Sequence, residues 1–281
     1  MKLTNKHGLP QALYSALSND LYVKHGHISV TGLIQPPRIR QLTQRYADQI
    51  EEDAADGIWR LLGSAVHDIL QRAETDGIQE QRLSMDVLGW KVTGQADLME
   101  GGVLSDYKVT SVWAAIGGVK PEWEAQLNCY AALMIDHGIT VQDAQIVCIY
   151  RDWSKGRAKQ GGDYPRIPAG VMRVRLWDWH DAIEYMEDRV RKHQVAESLP
   201  DDALPVCSPE ERWEKPTTYA VMKKGRKSAV RVLDNEADAE QMVADKGAGH
   251  YVEVRHGESI RCTDYCPVNT WCNQYRDNID G

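Results

Sequence analysis

Several features that would assign the chain to a familiar class are missing. Phenylalanine is absent from the 281 residues, so nine tryptophans and twelve tyrosines must supply the aromatic bulk of the core. No apolar run approaches the roughly 20 residues that a membrane helix needs, and the first residues lack the apolar centre of a secretory signal. We therefore expect no membrane association and a cytoplasmic protein, in a bacterium or a phage-infected host cell.

An excess of positive charge is also missing. Acidic residues (41) outnumber basic residues (33), which gives a formal charge of −8 at pH 7. Net charge governs solubility, whereas nucleic-acid binding needs only a local basic patch. Each local cluster has a solvated surface as its ordinary alternative. The candidate phosphate contacts are Arg38 with Arg40 and Arg45; Lys155, Arg157 and Lys159; and Lys223, Lys224, Arg226 and Lys227.

Six cysteines without a secretion signal do not indicate a disulfide framework. Cys129 and Cys148 fall in a helical and a strand pattern, where cysteine behaves as a small core residue. The other four lie in the last third of the chain, three of them within RCTDYCPVNTWC: Cys207, Cys262, Cys266 and Cys272. This spacing is typical of metal ligands. Four thiolates suit either a four-iron cluster or tetrahedral zinc, and free thiols are the remaining alternative.

Hydrophobic periodicity divides the chain into a central region and two flanking regions. Residues 1–57 are expected to be mostly helical, with a break at Pro36-Pro37. Residues 58–197 follow the order helix, three strands, helix, strand, strand, helix. Within them, 81–110 should form a three-stranded antiparallel meander, and 152–170 should be a mobile loop because it is rich in Gly and Lys.

The remaining region, 198–281, begins with the Pro- and acid-rich linker SLPDDALPVCSPEE. A hairpin, a short helix and a strand should follow as a small ββαβ module, bracketed by Cys207 and Cys262. The cysteines after the last strand would form a metal-binding tail.

The segment GQADLMEGGVLSDYKVT contains two aspartates and a lysine in a pattern that suits catalysis. If Gly101-Gly102 form a two-residue turn, Asp97 faces Asp106 with Cβ atoms about 4.5–5.5 Å apart. Two carboxylates so placed suit a hard cation such as Mg²⁺ or Mn²⁺. Lys108 shares the face of Asp106, where an ammonium can orient water and offset charge on a phosphate. The alternative is an ordinary charged hairpin edge.

Three further residues are candidates by position on helices. His67 lies nearly opposite the apolar stripe of its helix (Ile58, Leu62, Val66 and Ile69), and Gly63 one turn earlier leaves room for a ligand. It is therefore either a surface residue or a metal ligand. Gln126 and Tyr130 are four residues apart and share one side of the next helix. A glutamine beside apolar positions needs a buried partner or a cleft, unless its amide reaches water.

Together these residues resemble the PD-(D/E)XK nuclease superfamily, in particular its RecB-like branch, which includes CRISPR-associated adaptation exonucleases, AddB-type repair nucleases and phage-encoded relatives. The family signature is a helix-borne His, G-x-x-D, D-x-K on the next strand and Q-x-x-x-Y on the following helix. The chain presents the four parts in this order over about residues 58–150: His67, Gly94 to Asp97, Asp106 to Lys108, and Gln126 to Tyr130.

The resemblance implies an α/β (α+β) fold with a restriction-endonuclease-like core, in which helices flank a mixed central sheet. It also implies Mg²⁺- or Mn²⁺-dependent hydrolysis of phosphodiesters. His67, Asp97, Asp106 and the backbone carbonyl of Tyr107 would hold the metal, and Lys108 would position the attacking water. By the same resemblance, Gln126 and Tyr130 would line the site and contact the DNA strand.

Many RecB-like exonucleases carry an iron–sulfur cluster bound by one cysteine before the core and three near the C-terminus. The trio Cys262, Cys266 and Cys272 is similar to the C-terminal three, with a first gap wider by one residue. The upstream cysteine is missing, because Pro36-Pro37-Arg38 stands about where the family often has Cys-Pro-Arg. Cys207 is the available replacement. On this resemblance a 4Fe–4S cluster is favoured over Zn²⁺, and the site would fasten the C-terminal tail.

The expected function is a DNA exonuclease that acts on single strands or duplex ends, in recombination, repair or phage-type DNA processing. Related enzymes act as rings or with other proteins, so a homo-oligomer or a helicase or recombinase partner is a further expectation. Two alternatives stay open: a restriction-like endonuclease, and a non-catalytic zinc-containing binding or scaffold protein.

Overall fold

The described part of the chain contains both helices and strands throughout its length. A computed structural model describes residues 2–19 and 26–279. The structure is mixed α/β, with several sheets flanked by helices. The α-helices are α1 (Gln11–Ser18), α2 (Val30–Ile34), α3 (Pro37–Arg45), α4 (Ile58–Gln71), α5 (Val112–Ile116), α6 (Pro121–Asp136), α7 (Lys155–Ala158), α8 (Trp179–Ser198), α9 (Glu236–Lys246) and α10 (Asn273–Ile279). The strands are β1 (Lys2–Thr4), β2 (Ile28–Ser29), β3 (Glu51–Asp53), β4 (Ile78–Gln79), β5 (Arg82–Val87), β6 (Trp90–Gln95), β7 (Leu98–Glu100), β8 (Val103–Thr110), β9 (Asp143–Tyr150), β10 (Ala169–Val174), β11 (Glu214–Lys215), β12 (Thr218–Lys223), β13 (Arg231–Leu233), β14 (His250–Arg255) and β15 (Glu258–Ser259).

The chain divides into two compact units, Met1–Leu199 and Pro200–Gly281. The first unit contains both the region 1–57 and the region 58–197, which therefore pack as one body. None of the helices in the described part of the chain combines the length and apolar content that a membrane crossing would need.

A five-stranded mixed sheet with the order β10-β9-β8-β7-β4 organises the first unit. β8 and β9 are parallel neighbours, and α6 lies in the crossover connection that parallel strands require. β7 and β8 instead form a tight hairpin in which Glu100 pairs with Val103. The turn residues Gly101 and Gly102 have φ angles of 57° and 83°, which glycine adopts without a Cβ clash. The predicted register is confirmed for the pairs from Glu100–Val103 to Leu98–Ser105, whereas Asp97 lies before the start of β7 and is not paired with Asp106 in the ladder.

The strand before this hairpin is interrupted. β5 and β6 pair with each other and, together with β2, form a separate three-stranded sheet. Between β6 and β7 the chain leaves the ladder, and an Asp97 carboxylate oxygen accepts the Tyr107 N–H at 2.6 Å. The side chain thus takes the place of the backbone carbonyl that a continuous strand would offer. The prediction of a single meander over 81–110 is wrong because the chain passes from one sheet to the other at Asp97.

α6 is buried on most of its surface and packs against β6, β8 and α8. Gly94 on β6 permits this close approach. A Cβ at that position would lie 2.6 Å from Leu133 Cδ1 and 2.8 Å from Tyr130 Cδ1. The glycine of the G-x-x-D pattern therefore has a packing function, since its missing side chain determines where Tyr130 sits.

The N-terminal region is helical only in part. It contains α1, α2 and α3, but β1 and β3 pair in parallel and β2 joins the three-stranded sheet. The predicted break is present, because Pro37 begins α3. Short strands of two or three residues give no periodic signal, which is why the sequence did not predict them.

The first basic cluster serves the fold. Arg40 pairs with Glu197 at 3.3 Å, and Arg45 donates to the Leu199 carbonyl at 2.6 Å beyond the end of α8, where a cation is favoured. Arg38 is 1% exposed. A DNA contact needs an accessible guanidinium, so the prediction of Arg38 as a DNA contact is wrong.

α4 begins at Ile58, but its apolar stripe is not a core stripe. None of its side chains is buried, and Trp59 and Ile69 are 55% and 61% exposed. The helix packs against α1 and β8. His67, at the middle of the helix, consequently keeps about a third of its side chain open to solvent.

The segment 152–170, expected to be a mobile loop, contains α7 and is anchored by aromatic side chains. Trp153 Nε1 donates to the Pro165 carbonyl at 2.8 Å, and the Tyr164 hydroxyl accepts the Ser154 N–H at 2.9 Å. Single aromatic residues in a glycine-rich segment carry no periodicity, so these anchors cannot be predicted from a hydrophobic pattern.

The second unit contains a three-stranded antiparallel sheet with the order β13-β12-β14. α9 lies between β13 and β14 in the chain and packs against the sheet. These are the hairpin, helix and strand expected from the sequence. β11 and β15 form a second, two-stranded sheet.

Gly94 gives a direct test of the packing between β6 and α6. Replacing Gly94 with alanine would force a methyl group against Leu133 and Tyr130, and we expect the free energy of unfolding to fall by about 1–3 kcal/mol. Gly63→Ala is the matched control, because a Cβ there meets nothing within 4 Å and alanine favours a helix. Urea denaturation measures both; equal stability of the two variants would contradict the packing role.

Candidate active site

β8 presents an acidic and a basic side chain on one face. Asp106 is 3% exposed, and the Lys108 ammonium lies 2.6 Å from its Oδ2. Residues two apart in a strand point to the same side, which is the placement expected from the sequence. Burial of a carboxylate is costly unless a positive group compensates it, so this ion pair is needed for the local structure.

Two side chains of α6 extend the ion pair. Lys108 Nζ also donates to Gln126 Oε1 at 3.1 Å, and Gln126 Nε2 donates to the Tyr130 hydroxyl at 3.0 Å. Gln126 and Tyr130 are 8% and 7% exposed. The amide is therefore not in bulk water; its oxygen accepts a hydrogen bond from the ammonium that also pairs with Asp106. The four residues form one connected chain, Asp106–Lys108–Gln126–Tyr130.

Asp97 connects β8 to α4. One carboxylate oxygen accepts the Tyr107 N–H, and the other lies 3.1 Å from His67 Nδ1. The break between β6 and β7 positions this side chain, since it frees Asp97 from the backbone ladder. The Tyr107 carbonyl as a metal ligand stays a prediction.

Glu80 is an acidic group that the sequence analysis missed. Ligand atoms of His67, Glu80 and Asp97 all lie within 4.8 Å of one another. Glu80 has a φ angle of 44°, in the left-handed region that non-glycine residues adopt infrequently. Its N–H donates to the Asp97 carbonyl at 3.3 Å, and its Oε2 accepts from Gln95 Nε2 at 2.8 Å. These contacts direct the carboxylate toward the histidine.

Strand pairing explains why Glu80 reaches the site. β4 and β7 are antiparallel, and Gln79 lies opposite Leu98. Glu80 follows Gln79 and Asp97 precedes Leu98, so these two acidic residues come to the same end of the strand pair. No spacing in the sequence distinguishes this glutamate from the other acidic residues. The signal that could have found it is the pairing of a two-residue strand, which sequence periodicity does not predict.

The group of His67, Glu80 and Asp97, called here the His/Glu/Asp group, can hold a divalent cation. An imidazole nitrogen and carboxylate oxygens suit Mn²⁺ and Mg²⁺. An open cleft of about 530 Å³ lies beside the group and is lined by Gly63, Ser64, His67 and Glu80. Gly63 and Ser64 leave room for a ligand to approach.

Burial and neighbouring charges shift the pKa of two site residues. Burial raises the pKa of Asp106 to about 6, and the charge of Asp97 raises it while Lys108 lowers it. A hydrogen bond to Asp97 raises the pKa of His67 above its usual 6.5. Asp97 thus contributes to both pKa shifts, as the largest cause for His67 and after burial for Asp106. A cation bound among the carboxylates would offset this negative charge.

The four predicted cysteine ligands lie near one another in the second unit. Burial, the charge of Glu211 and the neighbouring thiols of Cys272, Cys262 and Cys266 together raise the pKa of Cys207 to about 12. Gln274 of α10 accepts the Cys207 N–H at 2.8 Å and donates to its carbonyl at 2.9 Å, which ties the tail to Cys207.

The separation of these sulfurs bears on the choice of metal. Zinc–sulfur bonds of about 2.3 Å in a tetrahedron place the sulfurs about 3.8 Å apart. Among residues 2–19 and 26–279, no three cysteine sulfurs lie within 4.8 Å of one another. Within those residues the thiols are therefore not gathered as closely as the ligands of a zinc site, and the choice between zinc and a four-iron cluster stays open.

The two remaining basic clusters are exposed. Lys155, Arg157 and Lys159 lie in and just after α7 in the first unit. Lys223 ends β12, and the turn after it carries Lys224, Arg226 and Lys227 in the second unit. Their roles as DNA contacts stay predictions.

Comparisons with known proteins leave the family open. No family model matches the chain, and no curated protein matches it. A solved structure titled "Crystal structure of SSO0001" is similar over 64% of this chain and 83% of that one, with 19% identity and a TM-score of 0.44. A similarity of this size carries no information on function.

The His/Glu/Asp group predicts a pH-dependent metal site. Mn²⁺ must displace the proton of His67, whose pKa is raised above 6.5, so we expect affinity to be highest at about pH 8 and to fall as the pH is lowered to about 6. Glu80→Gln should weaken binding at least about tenfold. Asp86→Asn, at an exposed position on β5, is the control and should bind as the wild type does. Calorimetric titration measures all three; an unchanged affinity in Glu80→Gln would contradict the site.

Proposed function

We propose that the chain is a metal-dependent deoxyribonuclease of the PD-(D/E)XK type, with a restriction-endonuclease-like core formed by α4, the sheets around β8, and α6. The order of elements supports this proposal: a helix carries His67, a hairpin carries Asp97, Asp106 and Lys108, and the next helix carries Gln126 and Tyr130. Residues that are up to about sixty positions apart in the chain meet in one place.

One observation carries the proposal. The Lys108 ammonium lies 2.6 Å from a buried carboxylate oxygen of Asp106, on a strand next to the His/Glu/Asp group. An ion pair with a purely structural role would be enough to explain the contact between Lys108 and Asp106. It would not explain why a histidine and two more carboxylates gather at the same edge, where their mutual repulsion is unfavourable without a cation.

The side chains can perform distinct parts of phosphodiester hydrolysis. His67, Glu80, Asp97 and Asp106 would hold the divalent cation, which when bound would polarise the phosphate and lower the pKa of a bound water. Lys108 would orient the attacking water through its third N–H and offset the negative charge that develops on the phosphate. Gln126 holds the ammonium in position. The water would lose a proton to solvent as its oxygen attacks phosphorus, and the bond from phosphorus to the leaving sugar oxygen would break as that oxygen takes up a proton from solvent.

For the cysteines we propose a four-iron cluster bound by Cys207, Cys262, Cys266 and Cys272. The spacing of Cys262, Cys266 and Cys272, which resembles the C-terminal cysteines of RecB-like exonucleases, favours it over zinc. The cluster would have a folding role, since Cys207 precedes β11 and the other three ligands follow β14, so binding would close the second unit.

The nuclease proposal predicts that Asp106→Asn and Lys108→Met lose Mn²⁺-dependent cleavage of linear DNA by roughly 10²–10⁴-fold. Asp143→Asn is the matched control, because Asp143 is an exposed aspartate at the start of the adjacent strand β9. Circular dichroism melts should show that the variants are folded. Wild-type cleavage rates in either site variant would contradict the proposal.

Substrate topology tests the mode of cleavage. An exonuclease should degrade a linear single strand or a linear duplex and leave a circular single strand intact. Cleavage of the circle would indicate the endonuclease alternative, and absence of any cleavage with intact Mn²⁺ binding would indicate a binding protein.

The iron–sulfur proposal predicts a brown protein after anaerobic purification, with about four iron atoms per chain. Cys207→Ser should lose most of the iron and the visible absorbance. Cys148→Ala is the control, because Cys148 is buried in β9 of the first unit and should not affect the metal. A colourless protein that contains zinc would overturn the assignment of the metal.

A further inference from the structure

Two exposed tryptophans of the first unit each have an arginine over their ring. Trp59 and Trp113 are 55% and 57% exposed. The Arg151 guanidinium carbon lies 4.6 Å from the Trp59 ring centroid, and that of Arg157 lies 5.5 Å from the Trp113 ring centroid. Burial of a tryptophan ring is strongly favourable, so a large exposed ring is unusual on a surface without a partner. Two such rings, each with an arginine guanidinium over it, therefore indicate a surface that contacts a ligand.

The two pairs are joined through the ends of β8 and β9. Arg151 and Asp152 directly follow β9, and the Asp152 carboxylate accepts the Ser111 hydroxyl at 2.7 Å and the Val112 N–H at 2.8 Å. Ser111 and Val112 follow β8 and precede Trp113. The two loops are therefore fastened to each other, and the rings of Trp59 and Trp113 belong to one continuous region.

This region adjoins the candidate active site by two routes. Along α4, Trp59, Gly63 and His67 recur every four residues, so they follow one another along one side of the helix. Along β8, Thr110 lies two residues beyond Lys108, or roughly 7 Å. Ligands commonly bind beyond the carboxyl ends of parallel strands, which is where β8 and β9 end.

The charge of the region is opposite to that of the whole chain. Residues 151–166 contain five basic and two acidic residues in a protein with a net charge of −8. One of the two acids, Asp152, is occupied by the hydrogen bonds to Ser111 and Val112. A cleft of about 530 Å³ is lined by Trp113, Arg157 and Tyr164. Tyr164 also packs edge to face on Trp113, with 5.9 Å between the ring centroids.

We propose that Trp59 and Trp113, with Arg151 and Arg157, form a stacking track for single-stranded DNA that leads to the candidate active site. The inference rests on the proposed nuclease function for the identity of the ligand. Bases stack on exposed aromatic rings, and the arginines contact the phosphates between them. Bases of a duplex are already stacked on one another and cannot use the rings, so the track selects an unpaired strand.

Binding of a fluorescently labelled single strand tests the track. The full chain is titrated with a labelled oligonucleotide by fluorescence anisotropy, without added divalent cations, and gel electrophoresis checks that the strand stays intact. Trp113→Ala and Trp59→Ala should each raise the Kd at least about fivefold, since one stacked base contributes about 1–3 kcal/mol. A blunt duplex of the same sequence should show a much smaller change.

Trp179→Ala is the matched control for removal of a tryptophan. Trp179 at the start of α8 is 37% exposed and packs against His180, outside the Trp59–Trp113 region. The Trp179→Ala variant should bind the single strand with the same Kd as the wild type. Trp113→Phe keeps an aromatic face and should recover most of the affinity, which a general loss of folding would not allow.

The outcomes separate this inference from the nuclease proposal. If the wild type cleaves DNA but Trp59→Ala and Trp113→Ala bind as Trp179→Ala does, the track is wrong and the nuclease stands. If the wild type does not cleave but the two variants lose binding selectively, the track stands and the nuclease proposal fails. Equal losses for single strand and duplex would overturn the selectivity for an unpaired strand.

Discussion

The buried ion pair between Lys108 and Asp106 is the interaction on which the candidate site depends. Asp106 is almost inaccessible to solvent, so its charge needs a compensating cation, and Lys108 lies 2.6 Å away on the same strand face. Removing one member of such a pair leaves an uncompensated charge, which is more costly than the pair itself is favourable. Gln126 then fixes the ammonium, and Tyr130 fixes the glutamine amide.

The topology of the first unit makes this pair possible. A parallel pair of strands requires a crossover, and the helix in that crossover, α6, packs directly over β8. Gly94 lets α6 approach β6 closely enough for Tyr130 to enter the core. Near Asp97 the chain leaves one sheet and enters another, and the Asp97 carboxylate accepts the Tyr107 N–H and also reaches His67. A single strand break thus serves both the fold and the site.

The parts of the site that could be predicted from the sequence are those with local geometry. The alternation of a strand predicted that Lys108 shares a face with Asp106, the spacing of a helix predicted that Gln126 and Tyr130 share a side, and the Gly101-Gly102 turn predicted the hairpin register. Glu80 could not be predicted, because its place depends on the pairing of a two-residue strand with β7. Arg38 belongs to a cluster of charged residues typical of a surface but is buried. The apolar side chains of α4 have the period of a core helix, but none of them is buried. Periodicity describes an element by itself, whereas burial depends on what packs against it.

The site has a closed side and an open side, and this division bears on how a substrate would reach it. Asp106, Gln126 and Tyr130 lie in the core, where low polarity strengthens every charge interaction. His67, Glu80 and Asp97 are only partly buried and adjoin an open cleft. A phosphodiester could therefore approach through this cleft beside α4, while the ammonium of Lys108 is held by Asp106 and Gln126. The exposed rings of Trp59 and Trp113 lie along the same approach, because Trp59 is on α4 and Trp113 follows the end of β8. A strand guided by these rings would arrive at the open side, where carboxylates and histidine can bind a cation, with its backbone facing the fixed ammonium. The buried ion pair and the exposed aromatic rings, which look unrelated in the sequence, would then contact the same ligand.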